Sequence, residues 1–114
     1  MDWSKLNMKE VNYYCKSWKS FFECSPFDLQ MEEIILMFHY YGIERFAVED
    51  IQEFYKKMQI RKMKSEGTIK PVPGKIRKVA ERMKNIKCTE DGIFEIISAD
   101  MGLYLPFDIK HLRQ

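Results

Sequence analysis

Between positions 56 and 87 the chain carries twelve lysines and arginines against two acids, Glu66 and Glu81. That stretch has a net charge of +10. The remaining residues, seven basic and fifteen acidic, carry −8, although the 114-residue chain as a whole is only +2. Cations at this density gather counter-anions that a polyanion releases when it binds, so the chemistry they suit is phosphate recognition, with nucleic acid the expected partner. The plainer reading of any such run is a solvated helix face.

Catalysis finds no comparable set of residues. His39 lies among Phe38, Tyr40 and Tyr41 and reads as a core or boundary histidine, while His111 falls near the C-terminal end. The acidic pairs Glu32-Glu33 and Glu49-Asp50 read as helix-start charges, which the positive end of the helix dipole favours, rather than as a general acid and base. Cys15, Cys24 and Cys88 match no common zinc-ligand spacing, and the five glycines are isolated turn formers with no phosphate loop among them. The chain is therefore expected to be non-enzymatic, without a metal or cofactor.

The elements that must position the cations can be taken in chain order. Asn7 followed by Glu10 resembles a capping box, after which Val11, Tyr14, Cys15, Trp18, Phe21 and Phe22 recur at helical spacing as one aromatic stripe. Ser25, Pro26 and Asp28 signal a second helix, expected over 29–41. Its run Ile34-Ile35-Leu36-Met37-Phe38 must lie deep in the core, and Gly42 can end it in the left-handed conformation. Arg45 to Val48 is short and β-like, and Glu49 and Asp50 open a third helix that points Ile51, Phe54, Tyr55 and Met58 inward. Residues 61–71 show no period and read as a loop. A fourth helix starts near Pro73, with Val72, Ile76, Val79, Ala80, Met83 and Ile86 on one face and Lys75, Arg77, Lys78, Arg82 and Lys84 over the rest. Thr89-Glu90-Asp91-Gly92 then reads as a turn and 93–97 as a strand. A return strand is expected at Leu103-Tyr104-Leu105, closing a hairpin.

Helices followed by a hairpin, the last helix being the most basic, make the order of a winged helix-turn-helix domain. From 34 to 105 the chain resembles that superfamily. Phe46-Ala47-Val48-Glu49-Asp50-Ile51 opens the second helix of the plan, Pro73-Gly74-Lys75-Ile76 opens the third, and Gly92-Ile93-Phe94-Glu95-Ile96 begins the wing. The connection over 61–71 is longer than the usual turn, and the N-terminal aromatic helix is an addition. The resemblance implies a mainly α fold with a small C-terminal β-hairpin, winged-helix-like and α+β, with an N-terminal extension over 1–27, a core over 28–107 and a tail over 108–114. It further implies that the basic helix enters the major groove of double-stranded DNA. Arg77 would then be the base-reading residue, because its planar fork fits guanine O6 and N7, with Lys75, Lys78, Arg82 and Lys84 beside it. Lys62, Lys64 and Lys70 would hold backbone phosphates or thread a groove.

The length suits one domain, and no apolar run approaches what a bilayer span requires. The start, Met1-Asp2-Trp3-Ser4-Lys5, lacks an export pattern, and three cysteines without a close pair suit a cytoplasmic protein. Because one small reading head buries little surface, a homodimer through the N-terminal aromatic helix is expected. The competing expectation is a protein-interaction module whose basic surface meets an acidic protein partner, since the same fold serves that role too.

Overall fold

Asn7 Oδ1 accepts the Glu10 backbone N–H at 3.2 Å and so caps α1, Met8–Ser17, which follows a short 3-10 helix at Trp3–Lys5. The computed structural model describes residues 1–59 and 71–97. Instead of one continuous N-terminal helix, the backbone leaves helical geometry at Trp18 (φ −108°, ψ 32°), and α2, Lys19–Cys24, resumes after it. The interruption breaks the period, so Trp18 stands 41% exposed while Val11, Tyr14, Cys15 and Phe22 remain buried.

The central helix α3, Phe27–Tyr40, starts two residues earlier than the spacing suggested, directly after Pro26. It buries residues on most of its circumference, among them Met31, Ile34, Ile35, Met37 and Phe38, as expected of an element surrounded by others. Gly42 ends it at φ +82°, donating to the His39 carbonyl (3.0 Å) while Ile43 donates to that of Phe38 (2.9 Å), the paired bonds of a Schellman stop. His39 is exposed on the last turn, not in the core or at its boundary, because its side chain falls opposite the face that carries Phe38.

A three-residue strand, β1 (Arg45–Ala47), leads into α4 (Val48–Met58). Asp50 Oδ2 accepts the Ala47 N–H at 2.6 Å, satisfying one orphan donor, and Gln59 closes α4 in the left-handed region at φ +53°. After the undescribed stretch come α5 (Pro73–Arg82), β2 (Ile86–Glu90) and β3 (Ile93–Ile96). The fold is thus α+β, mainly helical with a small antiparallel sheet in the order β1-β3-β2.

Two expectations change here. Residues 86–90, read as the end of a helical period and a turn, form β2, so the hairpin lies one strand earlier in the chain. β3 has β1 on one side (Phe46 opposite Phe94) and β2 on the other (Cys88 opposite Phe94), and the return strand is expected at Leu103, Tyr104 and Leu105. Those three residues, like the tail over 108–114, lie outside the described residues. Val72, assigned to the buried face of the basic helix, is 62% exposed, because the extended backbone that precedes a proline carries it off the helical period.

Side chains from all these helices and strands meet in one core. Phe38 packs edge-on against Phe46 and Phe54 (centroids 6.0 and 5.8 Å), and Phe46 stacks on Phe94 at 5.6 Å. Each such ring, fully buried, contributes about 1.5 to 3 kcal/mol of transfer free energy. The N-terminal helices join this core through polar bonds too. The Tyr14 hydroxyl donates to Glu33, Gln30 Nε2 donates to the Phe22 carbonyl at 2.7 Å, and the Tyr41 hydroxyl donates to Glu10 at 3.1 Å.

Candidate nucleic-acid interface

Why α5 presents its cations outward follows from its start and its spacing. Pro73 occupies the first turn, where a missing N–H costs nothing, and Gln52 of α4 donates to the Pro71 carbonyl at 3.0 Å, fixing the approach of the chain. Ile76, Val79 and Ala80 then fall on one side and are buried. Lys75, Arg77, Lys78 and Arg82 necessarily occupy the rest of the circumference, and all four are exposed. Lys84 is exposed just beyond the helix, before β2.

The cations differ in what holds them. Arg77 Nη1 lies 3.1 Å from Asp91 Oδ1, in the turn between β2 and β3. Arg82 Nη2 lies 3.0 Å from Asp28 Oδ2, in the first turn of α3. Lys75 places its ammonium 5.2 Å from the centroid of the Phe27 ring. Lys78 and Lys84 have no ion pair among the described residues. Exposed pairs of this kind contribute at most about 1 kcal/mol each, so a phosphate can replace either carboxylate at little cost. Lys62, Lys64 and Lys70 lie outside the described residues.

The hairpin turn belongs to the same surface. Gly92 adopts φ +76°, its carbonyl accepts the Val48 N–H at 3.1 Å, and a Cβ placed on it would stand 3.6 Å from Arg77 Nη2. The turn is therefore fixed to the start of α4 and to the flank of α5 at once. Sequence spacing could not reveal the two aspartates: Asp28 is 54 positions from Arg82, and Asp91 has the local signature of a turn residue. Glu81, exposed among the cations of α5, was visible only as one acid in the charge count.

Away from α5, the chemistry is of another kind. Glu33 is fully buried, and one of its carboxylate oxygens finds no hydrogen-bond partner among the described residues. Burial raises its carboxyl to about 7, against the opposing effect of the Tyr14 hydroxyl bond. Neighbouring Cys15 is pushed up to about 12, first by burial and then by the Glu33 charge, which leaves an inert thiol. Among the described residues, no three His, Cys, Asp or Glu side chains come together as a metal site, and no helix is long and apolar enough to cross a membrane. Compared with protein-family models, curated proteins and solved structures, the chain matches none of them.

Proposed function

We propose that this chain is a winged-helix protein that binds double-stranded DNA, with α5 as the helix that enters the major groove and the β2–β3 turn as the wing. The order α3, β1, α4, α5, β2, β3, with a sheet arranged β1-β3-β2, supports the fold reading. The observation that carries the functional reading is the division of α5: three apolar side chains anchored in the core and four cations on the solvent side, beside a fixed hairpin turn. A helix about 10–12 Å across matches the major groove in width, and its charge matches the phosphate walls.

The protein acts as a small regulator, most simply as a homodimer, because a single reading head of this size buries little DNA surface. Tyr13 on α1 and Trp18 at the break between α1 and α2 remain exposed and supply the aromatic surface for such a contact. Three unpaired cysteines fit a cytoplasmic location. Titration of the isotope-labelled chain with a random-sequence duplex at low salt tests the reading. Amide shifts concentrated on α5 and on Asp91 and Gly92 are expected. Shifts confined to other elements, or none at all, would reject it and leave an acidic protein as the partner to seek.

A further inference from the structure

The residues of α5 do not share one outlook. With about 100° of turn per residue, the positions diametrically opposite Ile76, Val79 and Ala80 are Gly74, Lys78 and Glu81, while Arg77 falls on one flank and Arg82 on the other. The ion pairs agree with that assignment: Arg77 meets Asp91 on the side of the hairpin turn, and Arg82 meets Asp28 on the side of the start of α3. A helix lying in a groove turns its flanks to the phosphate walls and its outermost line to the base edges. The arginines are thus placed for phosphates, and the residues that face the bases are Lys78 and Glu81.

Glu81 is the informative one. It is exposed, and it has no salt bridge among the described residues. A carboxylate on the outermost line of a DNA-facing helix is repelled by every phosphate near it, so it weakens sequence-independent binding. It favours binding only where a base offers it a hydrogen. In the major groove such donors are the amino groups of cytosine N4 and adenine N6, of which the cytosine group suits an acceptor alone, since adenine also presents N7 as an acceptor. Lys78 stands one turn back, roughly 60° round the axis and about 4.5 Å along it, within reach of a neighbouring guanine O6 or N7.

We infer that base specificity resides in Lys78 and Glu81, with Glu81 selecting cytosine, and that Arg77 and Arg82 are phosphate contacts. This rests on the DNA-binding reading and replaces the expectation that Arg77 reads guanine. The test is selection of a randomised duplex pool by the full chain, by Glu81→Ala and by Glu81→Gln, with affinity for unselected duplex measured alongside. The native chain should enrich a site with one position at which cytosine is preferred by roughly five- to tenfold. Glu81→Ala should lose that preference and bind unselected duplex about two- to fivefold more tightly, as removal of a like charge predicts. Glu81→Gln should move the preference toward adenine, which an amide can grip with two bonds. Enrichment of the same site by all three proteins would overturn the assignment while leaving DNA binding intact. Failure of the native chain to bind or enrich any duplex at low salt would overturn both readings.

Discussion

Glu33 brings a carboxyl group into a region where none of its surface reaches water, and among the described residues it is held by the Tyr14 hydroxyl. An unfolded glutamate titrates near 4.5, and this one near 7 in the folded chain, so the native state holds its proton more tightly than the unfolded state does. The favourable contribution is complete below about pH 4.5 and is lost as pH rises toward 7, beyond which it is flat. The loss amounts to roughly 3 kcal/mol, since each tenfold difference in proton affinity between the folded and unfolded chain is worth about 1.4 kcal/mol. Urea unfolding between pH 5 and pH 8 should show this decline in the native chain and a much flatter profile in Glu33→Gln. An equal slope in the variant would remove Glu33 as its source. The sequence concealed this residue. Next to Glu32 and near the start of α3 it resembled a dipole-favoured acid, and only its alignment with Gln30 and Met37 on the inward face separates it from one.

At the scale of elements, α5 was legible because three apolar residues at helical spacing dictate which side is buried and hence where every cation must point. The hairpin was not. Ile86 follows Met83 by three residues and so extends the helical period of α5, while Lys87, Cys88, Thr89 and Glu90 lack the apolar alternation that marks a strand. In the structure only Ile86 of that strand is buried, and its pairing with β3 is what makes it a strand. Two glycines give opposite expectations. Gly92→Ala forces a side chain into φ +76° and should destabilise the fold by about 1 kcal/mol, whereas Gly74 has an ordinary backbone and open space, so Gly74→Ala should stabilise α5 by about 0.5 kcal/mol. Denaturant midpoints of the two variants check this. A stable Gly92→Ala would contradict the turn geometry assigned to Gly92, and a destabilised Gly74→Ala the open helical position assigned to Gly74.

Over the whole molecule, the separation of +10 and −8 along the chain was evident from the residues alone, and it remains the strongest pointer to a polyanion. What the residue order could not disclose is how much of that charge is tied down. Arg77, Arg82 and Lys57 each face a carboxylate, contributed by the hairpin turn, by α3 and by α4's own Glu53. The basic surface proposed to meet DNA is therefore less positive than the count, and for Arg77 and Arg82 contacts between separate elements set the difference. The most direct test is the salt dependence of binding to a fluorescent random-sequence duplex. It compares the native chain with a variant in which Lys75, Arg77, Lys78 and Arg82 are all alanine, and with a control in which Lys9, Lys16, Lys19 and Arg45 are changed instead. Each lost phosphate contact lowers the slope of log affinity against log salt by about 0.9. The account predicts steep salt dependence for the native chain and the control, and a slope shallower by roughly 2 to 4 with weak binding for the α5 variant. Absence of low-salt binding by the native chain, or equal binding by the α5 variant, would contradict the assignment of α5 as the DNA-binding helix.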